Sequence, residues 1–169
     1  AEAYDLKAVI SMVGEDYRGA IDNSIRYLLL THDDADMLLS ASKHEFKYAI
    51  DNITVALQIA SELQSKAYWY GIRAMAYSYN NYYAEAIDDM QNKLIINGDS
   101  VAQLFNNFQL ADCYLHLMDY PKAVYHYTKT IQTLEERGVR DAECYLYRAM
   151  CYYDMNELDS VWIDTDTIL

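Results

Sequence analysis

Residues 70–87 read YGIRAMAYSYNNYYAEAI, and residues 145–162 repeat their pattern as YLYRAMCYYDMNELDSVW. In the first stretch Tyr70, Ala74 and Tyr77 are spaced i, i+4 and i+7, which places them on one stripe of an α-helix. Two asparagines follow as turn or capping residues, and an alanine then begins a second apolar helical pattern. The stretch therefore predicts a helix, a tight turn and a second helix, with small residues that let the two helices approach closely.

Further copies of this pattern occupy the rest of the chain. A small residue anchors each second helix, at spacings of 29, 37, 37 and 38 residues: Ala20, Ala49, Ala86, Ala123 and Val161. Another small residue precedes most anchors by twelve positions, at Ala8, Ala74, Ala111 and Ala149. Because a period of this length is typical of stacked helix pairs, the sequence predicts an array of them. The second copy is short, and it has Met37 where the small residue is expected.

The composition indicates a helical and acidic chain. Its 169 residues include one proline and five glycines, too few for the many turns of a β-sandwich or barrel. Tyrosine is abundant, at 18 residues, and the formal net charge is −13. This charge argues against nucleic acid or an anionic membrane surface as the partner, because both bind basic protein surfaces. It favours a basic partner instead.

The chain carries few signals of its compartment. No run approaches the roughly 18 apolar residues of a membrane span, so we expect no membrane insertion. The first residue is Ala1 rather than methionine, which indicates a processed chain or an excised fragment. Three cysteines are too few, and odd in number, for a disulfide framework. We therefore expect reduced, partly buried thiols and a cytoplasmic location, with the periplasm or another compartment as the alternative.

This pattern resembles the tetratricopeptide repeat (TPR) family. The matching aromatic and small positions are Tyr4, Tyr70, Tyr145, Ala8, Ala74, Ala111, Ala149, Tyr77, Tyr114 and Tyr152 on the first helices, and Tyr17, Tyr83, Tyr120, Ala20, Ala86 and Ala123 on the second. The resemblance implies an all-α fold, a right-handed α-solenoid of about five antiparallel helix pairs with a period of about 37 residues.

Under this resemblance the chain is a single TPR-like domain with a regular division into units. Their approximate bounds are 1–30, 31–64, 65–99, 100–138 and 139–169. Solenoids normally end in a polar capping helix, and none follows the last unit. We therefore expect the last unit to be truncated or to be covered by a neighbouring domain.

The resemblance also implies a concave groove lined by the first helices of the units. The groove positions are Tyr68, Ile72, Met75, Tyr79, Phe105, Phe108, Asp112, His116, Tyr147 and Asp154. Rings accept apolar side chains or cations, and carboxylates favour a basic partner. We therefore expect a protein or peptide segment with apolar anchors and a Lys or Arg. The alternative for each of these side chains is packing between adjacent helix pairs, and this alternative is favoured for Met75.

Metal binding and catalysis are the competing interpretations. Cys113, His116 and His126 could supply metal ligands from two partner helices. Because the cysteine occupies a recurring packing position, we expect no metal and no cofactor. The sequence has no Gly-rich phosphate loop, nucleophile elbow or His-Glu-x-x-His motif, so we do not expect an enzyme.

Two arginines occupy equivalent positions in different copies. Arg73 and Arg148 could contact an anionic ligand, or they could pair with nearby carboxylates such as Glu85 and Glu157. Since acidic residues outnumber basic ones 26 to 13, pairing within the protein is favoured.

These observations together predict a non-enzymatic interaction module. The resemblance implies the sensing or partner-binding region of a larger bacterial regulatory protein. Two alternatives stay open, namely an array that closes on a short signal peptide, and a metal or small-molecule enzyme. Nothing in the pattern indicates an oligomeric state.

Overall fold

The computed structural model describes residues 1–33, 35–96 and 100–168, and only the backbone is described for 100–102. Within these ranges the chain forms ten helices and no strands. The helices are α1 (Glu2–Val13), α2 (Tyr17–Thr31), α3 (Asp36–Ser42), α4 (Phe46–Ile59), α5 (Leu63–Tyr79), α6 (Tyr83–Ile96), α7 (Ser100–His116), α8 (Tyr120–Glu135), α9 (Ala142–Asp154) and α10 (Leu158–Ile168).

The helices are divided between two compact units, residues 1–96 and 97–169. In the first unit α1 packs on α2 and α5 packs on α6, while α4 packs on α2, α3 and α5. In the second unit α7 packs on α8, α8 on α9, and α9 on α10. The predicted all-α fold of sequential helix pairs is therefore confirmed for the described residues.

Small residues occupy fully buried positions on the paired helices. Ala20, Ala49, Ala86 and Ala123, which begin the apolar faces of the second helices, are completely buried, and so is Ala74 on α5. An alanine at such a position lets two helix axes come close and leaves the neighbouring larger side chains to fill the remaining space. The spacing of small residues in the sequence thus corresponds to the packing of the helices.

The turns between paired helices share one geometry. A residue with left-handed backbone lies five positions before the second-helix anchor in four pairs, at Glu15, Asn81, Met118 and Asn156. In the turn after α7, the Met118 N–H donates to Leu115 O and the Asp119 N–H donates to Tyr114 O, and the other three turns repeat these two bonds. This is the Schellman arrangement, which satisfies carbonyls at the end of a helix. The turn predicted at 80–81 is confirmed, and the turns at 118–119 and 156–157 have the same geometry.

The second copy departs from this pattern. Its first helix, α3, has only seven residues, and Leu38, Leu39 and Ala41 are all buried. Met37, which stands at the expected small position, is half-buried. Residue Lys43, which ends α3, has right-handed backbone, so the turn into α4 lacks the left-handed residue of the other pairs. A helix of about two turns is too short to carry the i, i+4, i+7 stripe with residues on both sides.

Arg148 forms an ion pair that joins three helices of the second unit. Its Nε and Nη2 atoms donate to the two carboxylate oxygens of Asp164, at 2.9 and 2.6 Å, and its Nη1 donates to Thr128 Oγ1 at 2.9 Å. Because Asp164 is almost fully buried, this guanidinium is its compensating charge. The predicted pairing with a carboxylate is confirmed, but the expected partner Glu157 is wrong.

The same arrangement occurs in the first unit. Arg73 donates to both oxygens of Asp89, at 2.7 and 2.8 Å, and to Thr54 Oγ1 at 2.9 Å. The expected partner Glu85 is therefore wrong here too. Helix geometry gives the reason: the carboxylate that faces α5 is three residues after Ala86, which is on the buried face, whereas Glu85 precedes that alanine and is exposed.

The three cysteines are free and buried. Burial raises the pKa of Cys144 to about 12 and that of Cys151 to about 11. The expectation that these thiols are buried is confirmed, and their burial is nearly complete rather than partial.

Candidate functional site

The first unit offers few of its predicted groove residues to a ligand. Ile72 is 2% exposed and belongs to the core, and Met75 packs against that core. Tyr68 is half-buried, and its hydroxyl donates to the Asp33 carbonyl at 2.8 Å. Tyr79 is exposed, but Lys43 Nζ already lies 5.0 Å from its ring centroid. Ile72 is therefore out of reach of a surface ligand, and Tyr79 is the most open of the four side chains.

Aromatic side chains of the second unit form a cluster. The ring centroids of Phe108 and Tyr147, from α7 and α9, lie 6.5 Å apart. Beneath them Tyr127 of α8 contacts both, at centroid distances of 6.0 Å to Phe108 and 5.9 Å to Tyr147. Tyr127 is fully buried, and its hydroxyl has no hydrogen-bond partner among the described residues. Burial also raises its pKa, so the hydroxyl stays protonated.

Carboxylates border this aromatic cluster. Asp112 lies one turn after Phe108 on α7, and His116 Nε2 is 3.7 Å from its Oδ1. The Tyr147 hydroxyl donates to Glu143 Oε1 at 3.1 Å. We call Phe108, Asp112, His116, Glu143 and Tyr147 the acidic face of the second unit.

The surroundings of Asp112 disfavour its ionised form. Burial raises its pKa, which the nearby His116 partly offsets and the charge of Glu143 reinforces. A carboxylate that is partly desolvated and near another carboxylate gains most from an added cation. The acidic face is thus electrostatically suited to a Lys or Arg side chain.

A cleft of about 220 Å³ opens beside the acidic face. It lies among α7, α8 and α9, and its lining residues are Leu104, Phe105, Phe108, Thr130, Leu134, Asp141, Glu143 and Cys144. Phe105 and Phe108 were predicted as groove residues, and the structure places both at this cleft. Sequence reasoning missed Leu134 and Asp141, because neither lies on the groove-facing stripe of a first helix.

Asp154 lies apart from the other predicted residues of the second unit. It is exposed at the end of α9. The pKa of Tyr120 is raised first by desolvation and then by the interaction of its hydroxyl with Asp154. Glu143 lies at the opposite end of α9. The structure therefore brings together Phe105, Phe108, Asp112, His116 and Tyr147, but not Asp154.

The residues considered as metal ligands do not converge. Cys113 is buried, His126 Nδ1 lies 2.9 Å from Asn107 Oδ1, and His116 pairs with Asp112. Burial lowers the pKa of His126. Among the residues the structure describes, no group of three or more His, Cys, Asp and Glu side chains could hold a metal ion.

None of the helices in the described part of the chain combines the length and the apolar character needed to cross a bilayer.

Two crystal structures of MamA, a TPR-like protein, are similar to this chain over most of its length. One has a TM-score of 0.63 at 17% sequence identity and covers 95% of this chain and 91% of the MamA chain. The other has a TM-score of 0.60 at 19% identity, with coverage of 99% and 89%. No protein-family model and no curated protein matches the sequence. At these identities the likeness shows the fold alone, a helical solenoid of TPR type.

Proposed function

We propose that this protein is a non-enzymatic interaction scaffold that binds a protein or peptide segment on the acidic face of its second unit. The segment carries apolar side chains and at least one Lys or Arg. The observation that carries the proposal is the aromatic pair Phe108 and Tyr147 bordered by the carboxylates of Asp112 and Glu143.

Charge and geometry both support a basic partner. The net charge of −13 attracts cationic segments and speeds their encounter with the surface. The rings offer flat apolar area, and the partly desolvated Asp112 gains a counter-charge when the segment binds. Solenoids of helix pairs commonly present such surfaces to protein partners.

The wider setting of this scaffold stays a prediction. A sensing region within a larger bacterial regulatory protein, or an array that closes on a signal peptide, would each use the same surface. The cytoplasmic location and the division into five units are likewise predictions.

A selection of binders from a random twelve-residue peptide library tests the proposal. We expect the recovered peptides to combine apolar residues with Lys or Arg. The variant Asp112→Asn should weaken their binding by roughly threefold to tenfold, because it removes the charge that faces the cation. Fluorescence anisotropy with a recovered peptide measures the change in dissociation constant.

Thermal unfolding of the same variant separates binding from stability. Since burial disfavours the ionised form of Asp112, Asp112→Asn should leave the melting temperature unchanged or raise it. Asp159→Asn removes the same charge from an exposed position on α10 and should leave affinity unchanged. Recovery of acidic peptides, or equal binding by the wild type and Asp112→Asn, would contradict the proposal.

A further inference from the structure

The cleft beside the acidic face has an apolar floor. Thr130 and Cys144 are almost fully buried there, and Phe108 and Leu134 pack against the small core of Ile131, Cys144 and Tyr145. The Thr130 hydroxyl already donates to the His126 carbonyl at 3.1 Å. A charged group placed on this floor would lose its hydration with little to replace it.

The size of the cleft limits what it can hold. Its volume of about 220 Å³ is below the range of about 300–1,000 Å³ that is usual for small-molecule and cofactor pockets. The ring of Phe105, which is 52% exposed, forms an open wall. A single branched or unbranched aliphatic side chain matches such a space, since it buries apolar area without a polar group.

The rim of the cleft has the opposite character. Asp141 and Glu143 both line it, and Glu143 is exposed. One oxygen of Asp141 accepts the Glu143 N–H at 2.9 Å, and a carboxylate retains further acceptor sites after one such bond. A cation next to an aliphatic anchor would therefore meet two carboxylates at the rim.

We propose that this cleft is a side-chain subsite for an aliphatic residue of the partner, with an adjacent Lys or Arg held by Asp141 and Glu143. The inference rests on the proposed function, because it names how the basic apolar segment is anchored. It specifies that the partner's aliphatic residue and the Lys or Arg next to it are bound together at this cleft.

Three small probes test the subsite with the full ¹⁵N-labelled chain: acetyl-Leu-Lys-amide, acetyl-Leu-Gln-amide and acetyl-Gly-Lys-amide. In NMR titrations, acetyl-Leu-Lys-amide should shift the backbone amides of residues 104–108, 130–134 and 141–144 most. Its dissociation constant should be about fivefold lower than that of the Leu-Gln probe. It should be at least about tenfold lower than that of the Gly-Lys probe, which lacks the apolar anchor.

Variants assign the two parts of the subsite. Asp141→Asn combined with Glu143→Gln should abolish the preference for Leu-Lys over Leu-Gln, and asparagine retains the helix cap at position 141. Phe105→Ala should weaken both leucine probes and leave that preference intact. Asp159→Asn should change neither. Equal dissociation constants for all three probes, or shifts confined to other residues, would overturn the inference.

The outcomes also separate this inference from the proposed function. If selected peptides bind and depend on Asp112, but the cleft variants do not alter the Leu-Lys preference, the subsite is wrong and the scaffold proposal stands. If the probes bind the cleft in the expected order and the library yields no peptide that depends on Asp112, the subsite stands and the scaffold proposal is wrong.

Discussion

Arg148 is held on three sides by groups of its own chain. Its guanidinium carbon lies 5.5 Å from the Tyr145 ring centroid and 6.0 Å from that of Tyr152, while Asp164 binds it through two parallel hydrogen bonds. A planar guanidinium can stack on rings while it binds a carboxylate through two parallel hydrogen bonds, and an ammonium group does not offer this bidentate fork. This geometry explains why the chain has arginine at residues 73 and 148.

Removal of one partner of this ion pair should be costly. Arg148→Ala leaves Asp164 buried without a counter-charge, so we expect the free energy of unfolding to fall by about 3–5 kcal/mol. The double variant Arg148→Met with Asp164→Leu should recover most of that loss, because it removes both charges and keeps apolar volume. Urea denaturation measures both, with the exposed Arg140→Ala as a control. An equal loss in the single and double variants would contradict this explanation.

Met118 has an unfavourable backbone conformation in the turn after α7. Its φ of 58° is in the left-handed region, which disfavours residues with a β-carbon, and Gly138 has the corresponding conformation after α8. We therefore expect Met118→Gly to raise the free energy of unfolding by about 0.5–1 kcal/mol. Leu117→Gly, one residue earlier and without a positive φ, should lower it. Thermal denaturation of both variants checks the sign, and destabilisation by Met118→Gly would contradict the expectation.

The pairing of helices depends on alanines that leave room for a neighbour. Ala123 begins the buried face of α8 and is completely buried, whereas Gln132 on the same helix is exposed. We expect Ala123→Leu to lower the free energy of unfolding by about 1–3 kcal/mol, because the added volume must displace packed atoms. Gln132→Leu adds apolar volume to α8 without this effect. Chemical denaturation distinguishes them, and similar stabilities would argue against close packing at Ala123.

Helices and turns with a complete pattern could be predicted from the sequence, and the short length of α3 could not. The pair α5–α6 carries the full set of aromatic, small and turn residues, and α9–α10 carries it on the first helix and in the turn. In the second copy, tertiary burial of Leu38 and Leu39 holds a seven-residue helix that has no complete stripe of its own. Local periodicity is a weak signal for so short a helix, since packing rather than propensity stabilises it.

The residues of the candidate site could be predicted only in part, because some of them come together through tertiary packing. The TPR resemblance implied Phe108, Asp112 and His116 as groove positions, and their i, i+4, i+8 spacing puts them on one face of α7 by local geometry. The contribution of Leu134 and Asp141 arises from the last turn of α8 and the start of α9, which come together through the tertiary fold. Burial of Ile72 is likewise set by the helices packed against α5, and not by its own helix.

At the scale of the whole molecule, net charge should govern how binding responds to salt. With a formal charge of −13, the chain attracts a basic peptide over a distance set by the Debye length. Raising sodium chloride from about 50 mM to about 500 mM should weaken binding of a selected basic peptide by roughly threefold to tenfold. When the lysines of the same peptide are replaced by glutamine, its dissociation constant should change by less than about twofold, because apolar contacts depend only weakly on sodium chloride.

Fluorescence anisotropy in the two buffers provides the measurement. Stopped-flow mixing adds a finer check, because long-range attraction acts mainly on the association rate. A salt effect carried mainly by the dissociation rate, or an equal effect on the glutamine peptide, would show that the charge of the chain does not steer the partner.

Residue spacing is sufficient for the all-α fold and its helix pairs, because small, aromatic and turn residues recur at spacings that act within one pair. Composition is sufficient for the acidic character of the chain, since net charge is a sum over residues. The pairing of Arg73 with Asp89 and of Arg148 with Asp164 depends on the tertiary structure. The exposure of each predicted groove side chain and the position of the cleft depend on it as well. Each of these depends on which faces of different helices meet, and that contact is absent from any local pattern.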